Sequence, residues 1–225
     1  MHYFAGLDIG TTHTKLVITD GNLDIVFREK LGYSRGFGAT LDANEIFQNI
    51  EQLLELADTA LQLSQHQITI TCSAAMHSLL LVDESASPIT PVYTWADNSS
   101  QPVIRELSQD PVARELFKQA GTPIHPMSPF CKLAWLARSN PDLLNRASKC
   151  VGIKEFAWFK ITGKWEIDHS MASATGLFSQ QSLDWIEAAL KIAGVSRHKL
   201  SVPVPVTQQY TLQHIRWVIG ASDGC

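Results

Sequence analysis

The chain has 225 residues, 45% hydrophobic and 18% charged, with a formal net charge of −4. That length and apolar share suit one large globular domain or two small ones, and mild acidity without a block of like charge excludes the basic footprint of a nucleic-acid binder. No apolar stretch approaches the roughly 20 residues of a membrane span, and the opening MHYFAGLD lacks the regions of a signal peptide, so a cytoplasmic chain with small-molecule partners is expected.

Alternating apolar residues predict strands over 3–9, 16–19 and 25–31, an antiparallel meander joined by short polar turns. Asp42-Ala-Asn-Glu45 has the form of a capping box, after which Ile46, Phe47, Ile50, Leu53, Leu54, Ala57 and Leu61 recur on one helix face. Residues 68–72 and 79–82 read as further strands, the second running into a turn-rich loop and then 92–95. Strand, helix and strand in alternation point to an α/β layer architecture. From residue 102 to about 192 the pattern is mostly helical, broken at 123–129, Asn140-Pro141 and Gly163, with an extended stretch near 164–167. Residues 202–209 should be extended, 217–221 form another apolar run, and the sequence stops two residues past Asp223, so the last domain looks interrupted. Cys72, Cys131, Cys150 and Cys225 show neither CxxC spacing nor a histidine at metal-site spacing, as expected of reduced thiols.

Residues 8–15, DIGTTHTK, carry more hydrogen-bonding groups than a hairpin turn needs. They match neither the P-loop nor the dinucleotide glycine pattern. The turn is either a polar surface feature or a phosphate cradle. Gly10 supplies backbone N–H groups, Thr11, Thr12 and Thr14 hydroxyls, and Lys15 an ammonium, all donors suited to anionic oxygen. Asp8 is the acceptor that could hold a hydrated magnesium ion.

DIGTT after a first strand, in strand-strand-strand-helix-strand order, resembles the superfamily of sugar kinases, heat-shock proteins and actin. Four further segments make the chain similar to the FGGY carbohydrate kinases: Ser73-Ala-Ala-Met-His-Ser78, Thr94-Trp-Ala-Asp97, Met127-Ser-Pro-Phe-Cys-Lys-Leu-Ala-Trp135 and Val218-Ile-Gly-Ala-Ser-Asp-Gly224. The wording of Gly121-Thr-Pro-Ile-His-Pro-Met-Ser-Pro129, Ile153-Lys-Glu-Phe156 and Ser170-Met-Ala-Ser-Ala-Thr-Gly176 looks most like the gluconate kinases. The resemblance covers essentially the whole chain. It implies an α/β, ribonuclease-H-like domain of the actin-like ATPase superfamily, with a mixed sheet flanked by helices.

That resemblance implies transfer of the γ-phosphoryl group of ATP to a sugar or sugar acid, with Mg2+ and with Asp223 as general base. An aspartate suits this role because phosphoryl transfer is mainly a matter of positioning and charge. Met76, His77, Trp95 and Asp97 are the implied sugar ligands, and Gly10, Thr11, Thr12, Lys15 and Asp8 the phosphate and metal ligands. Glu155 and Asp168 are polar residues in apolar neighbourhoods; Glu155 is assigned to the sugar pocket and Asp168 is not. Residues 127–135 have the composition of a buried helix start, with Lys132 snorkelling or paired.

The departures matter as much. Gluconate kinases usually carry an arginine two residues past the aspartate matched by Asp97, and here Ser99 stands there. A clamp on a sugar carboxylate, an interaction of about 1.5–3 kcal/mol, would go with it. A kinase for xylulose or another pentulose or polyol is therefore the alternative substrate reading, and a non-catalytic sugar-binding fragment the alternative class. An actin-like or chaperone-like ATPase would leave Met76, His77 and residues 94–97 without a role. Residues 1–225 are expected to form the sugar-binding N-terminal domain, with the family's adenosine-binding domain absent from this sequence; a homodimer stays open.

Overall fold

The computed structural model describes residues 2–34 and 38–223. β1 (His2–Ile9) buries Tyr3, Ala5, Leu7 and Ile9, and β2 (His13–Thr19) buries Thr14, Leu16 and Ile18, the period-two pattern of a sheet covered on one side. β3 (Ile25–Gly32) completes the antiparallel meander. After the short β4 (Thr40–Leu41), α1 (Ala43–Leu61) lays Ile46, Ile50, Leu53 and Ala57 into the same core, at the spacing of one helix face. The expected capping box is half formed. Asp42 accepts from the amides of Asn44 and Glu45, but the Glu45 carboxylate turns away to the amide and hydroxyl of Ser34, at 2.6 and 3.2 Å.

β5 (Gln67–Ala74) runs parallel to β1, with Ile9 opposite Ala74. β6 (Leu80–Val82) and β7 (Val92–Tyr93) follow. A helical layer comes next: α2 (Gln101–Gln109), α3 (Pro111–Ala120), α4 (Pro129–Ser139) and α5 (Pro141–Arg146). The prolines that break the sequence pattern open these helices, where a missing N–H costs nothing; Asp110, Ser128 and Asn140 cap the last three. The chain continues through β8 (Lys149–Val151), α6 (Ile153–Thr162), β9 (Glu166–Asp168), α7 (His169–Ser173), β10 (Phe178–Ser179), β11 (Asp184–Trp185) and α8 (Glu187–Ala193). It ends with β12 (Val202–Val204), β13 (Gln209–Leu212) and β14 (Ile215–Val218).

The main sheet has six strands in the order β13-β14-β5-β1-β2-β3. Its centre, β14-β5-β1, is parallel, and both flanks are antiparallel. Two apolar clusters flank the β6–β8 ribbon: Leu80 and Val82 join the cluster under the sheet, Leu79 and Leu81 the cluster among the helices. A strand buried on both faces must be apolar throughout, and Leu79-Leu-Leu-Val82 is.

Several expected elements are shorter or of another kind. The strand expected over 92–95 stops at Tyr93, where a turn closed by the Asp97 amide donating to the Thr94 carbonyl at 3.1 Å begins. In the expected extended stretch 202–209 only Val202–Val204 pairs in a two-stranded sheet, alongside β9. The apolar run 217–221 leaves the sheet after Val218, turning through Gly220 at φ 67°. The region read as mostly helical also contains β8, β10 and β11.

Candidate functional site

The carboxyl ends of the parallel strands bring distant segments together. The Ala75 amide donates to the Ile9 carbonyl at 3.0 Å, and the Asp223 amide donates to the Ala74 carbonyl at 3.1 Å. Ser222 also forms a parallel bridge with Ala74. Gly10, Met76-His77 and Asp223 therefore leave the sheet from one edge, the place where open α/β sheets bind ligands. Asp223 is exposed there; Gly224 and Cys225 lie outside the described residues.

The turn after β1 is closed by the Gly10 amide donating to the His13 carbonyl at 3.0 Å. Beneath it the Tyr33 hydroxyl donates to the Gly10 carbonyl at 3.0 Å and lies 3.0 Å from the Thr14 hydroxyl. Burial pushes the Tyr33 phenol up to about 12. Thr14 is completely buried, so its hydroxyl is corrected from a phosphate donor to a support for the turn. Thr12 is exposed, with its hydroxyl 2.9 Å from His13 Nδ1, and Thr11 is half-buried. Lys15 Nζ lies 3.1 Å from Asp8 Oδ2 across the β1–β2 ladder. Donors and one carboxylate thus share this edge, a set that fits phosphate oxygens and a hydrated divalent cation. No group of three or more metal-binding side chains occurs among the described residues, so a metal here would share its coordination with ligand oxygens and water.

On the other side of the edge, His77 sits at φ 64° with Nδ1 2.8 Å from the Ala174 carbonyl. A carbonyl only accepts, so Nδ1 carries the proton. Burial lowers the His77 pKa, which keeps Nε2 as a bare acceptor suited to a hydroxyl. A cleft lined by Gly10, Thr11, Met76, Thr94 and Trp95 joins this side to the phosphate turn. Trp95 is 47% exposed rather than core. Asp97 is buried, and both its oxygens accept from Ser99, from the amide at 3.2 Å and the hydroxyl at 2.9 Å.

Lys132 neither snorkels nor pairs with a carboxylate. It is completely buried, and Nζ donates to the carbonyls of Pro126 and Met127 at 2.8 and 2.7 Å. Burial lowers its pKa to about 8, against the pull of nearby Asp97. It fixes the turn that presents His125, whose Nδ1 accepts from the Met127 amide at 3.2 Å. The sequence reading missed this role, although a lysine among apolar residues was a signal for it.

Glu155 is not brought to the cleft with Trp95. Its carboxylate accepts from the Gly152 amide at the start of its own helix and lines an interior cavity with Leu133, Cys150, Leu177 and Trp185. Ser78, whose hydroxyl accepts from the Ile153 amide at 3.0 Å, borders both spaces. Burial raises the Glu155 pKa to about 7. Asp168, set aside in the sequence, is completely buried against Lys154 at 2.7 Å.

The mixed sheet, with its parallel centre and antiparallel flanks, is the α/β, ribonuclease-H-like arrangement of the actin-like ATPase superfamily. The chain belongs to the FGGY family of carbohydrate kinases, whose N-terminal domain matches residues 3–218. It is 38% identical to a gluconokinase of Bacillus subtilis (strain 168) over 99% of this chain and 46% of that protein. A gluconate kinase structure from Lactobacillus acidophilus superposes with a TM-score of 0.89 at 29% identity, covering 99% of this chain and 48% of that one. A ligand-bound xylulose kinase from the same organism gives 0.89 and 29% as well, over 100% and 49%. The chain spans about half the length of the curated relatives it matches. Among the described residues no helix is long and apolar enough to cross a membrane.

Proposed function

We propose that this chain is the sugar-binding half of a kinase that transfers the γ-phosphoryl group of ATP to gluconate, giving 6-phosphogluconate. The observation that carries the reading is the convergence of Asp223, the Gly10 turn and Met76-His77 on one sheet edge, with Met76 and Trp95 lining a cleft beside the turn. Asp223 accepts the proton of the attacking hydroxyl, in the role that positioned carboxylates play in phosphoryl transfer. Met76, His77, Trp95 and Asp97 hold the sugar, with Trp95 against its C–H face and His77 Nε2 accepting a hydroxyl. Thr11, Thr12 and Lys15 take the phosphates on the turn that Gly10 closes, and Asp8 the metal. Bound Mg2+ supplies charge neutralisation on the phosphates. A second half of the protein, carrying the adenosine pocket, closes over this edge and excludes water.

The xylulose or polyol reading keeps one specific support. Ser99 caps both oxygens of Asp97 where an arginine would have offered a fork to a carboxylate. The test is ADP release by the full-length protein with gluconate, xylulose and glycerol in parallel, for wild type and Asp223→Asn. Gluconate as the preferred acceptor, with turnover lost and sugar binding kept in Asp223→Asn, is expected. Preference for xylulose overturns the substrate, and unchanged turnover in Asp223→Asn overturns the base.

A further inference from the structure

Behind Asp223 lies a polar cluster with no part in the reading so far. Asp168 is completely buried, and its carboxylate is saturated. Oδ2 accepts from Lys154 Nζ at 2.7 Å; Oδ1 accepts from the amides of Ser170 and Met171, both at 3.1 Å, and from the Ser170 hydroxyl. With its proton committed to Asp168, the Ser170 oxygen is left as an acceptor, and it takes the Ser222 amide at 2.9 Å. Lys154 Nζ in turn donates to the Ala221 carbonyl at 2.9 Å.

The Ala221 carbonyl and the Ser222 amide are the two polar ends of one peptide plane. Both are held from a single carboxylate, one through the lysine and one through the serine. The next peptide is fixed as well, Asp223 N to Ala74 O at 3.1 Å, and so is the one two peptides back, Gly220 N to Val206 O at 3.1 Å. Fixing a rigid plane on both sides sets the torsions on either side of it, and so the direction in which Asp223 leaves the sheet. Buried ion pairs are weak sources of stability because desolvation offsets attraction; orienting a backbone segment is what this one does.

We propose that Asp168, acting through Lys154 and Ser170, is a positioning residue that clamps the Ala221–Ser222 peptide plane and thereby aims the Asp223 carboxylate at the bound sugar. Its link to catalysis rests on the reading of Asp223 as the base.

Ser170→Ala cuts one arm of the clamp and leaves the buried charge pair intact, and Ser170→Thr keeps the hydroxyl. In the full-length protein Ser170→Ala is expected to lower kcat by about 10- to 100-fold, as a misplacement on the order of 1 Å does. The KM for sugar should stay within about twofold, since uniform binding is untouched, and Ser170→Thr should recover most of the rate. Hydrogen exchange at the Ser222 amide should quicken by about tenfold or more in Ser170→Ala. A kcat within about twofold of wild type overturns the catalytic part of the proposal while Asp223→Asn still tests the base. If wild type phosphorylates no sugar, the kinase reading falls, and the exchange rate alone decides the clamp: faster exchange supports it, unchanged exchange overturns it.

Discussion

Gly220 passes so close to Cys72 that a β-carbon on it would stand 2.1 Å from the Cys72 carbonyl oxygen. Its φ of 67° also lies in the left-handed region, which side chains disfavour. The exit from β14 toward Asp223 is therefore open to glycine alone. Gly220→Ala should cost about 3 kcal/mol or more, the sum of left-handed strain and a backbone clash with no flexible neighbour to yield. Urea unfolding should show a lower midpoint at an unchanged slope; a loss below about 1 kcal/mol would show that the turn relaxes freely.

Tyr33 ties the phosphate turn from below, reaching the Gly10 carbonyl and the Thr14 hydroxyl. Tyr33→Phe keeps the ring and removes both bonds, so a stability loss of about 1–2 kcal/mol is expected. In the full-length protein the KM for ATP should rise while that for sugar holds. A rise in the sugar KM instead would place the turn on the wrong substrate.

Much of the scaffold was legible in the sequence because it rests on local periodicity. The meander announced itself by alternation, and α1 by one apolar face behind Asp42. β8, β10 and β11 did not, since strands of two or three residues offer too few positions for a period to show. The candidate site was read through motifs, and the places where the structure departs from that reading follow a pattern. Thr14 is in phase with Leu16 and Ile18, so strand parity alone would have turned its hydroxyl inward. Lys132 stood out as a lysine among apolar residues, but its partners could not be read, because they are backbone carbonyls, which every residue has. Asp168 depends on residues 14 positions back and, through Lys154, on a carbonyl 67 positions from that lysine, distances over which a sequence pattern says nothing.

Lys132 carries the turn at Pro126 and Met127 on a buried ammonium. Lys132→Met keeps most of the volume but leaves the Met127 carbonyl unpaired, at about 1–3 kcal/mol if water does not reach it, while the Pro126 carbonyl keeps its bond from the Ser100 hydroxyl at 3.0 Å. The full-length protein should show a sugar KM raised by about tenfold or more, with ATP affinity unchanged. An unaltered sugar KM in a stably folded variant would show that this turn does not support the sugar site.

Glu155 gives the chain a pH dependence of defined sign. Its folded-state pKa is raised by burial from 4.5 to about 7, so between those values the folded chain holds a proton that the unfolded chain has released. The stability from the neutral carboxyl is full below about pH 4.5 and is lost as pH rises through about 7. Glu155→Gln removes the titration while its amide oxygen can still accept from Gly152. Wild type should therefore lose about 2–3 kcal/mol relative to Glu155→Gln between pH 4.5 and 8, read from denaturant midpoints at the two ends. A difference that stays constant with pH would mean that the carboxylate is already ionised throughout and that a cation or water within reach of the cavity compensates it.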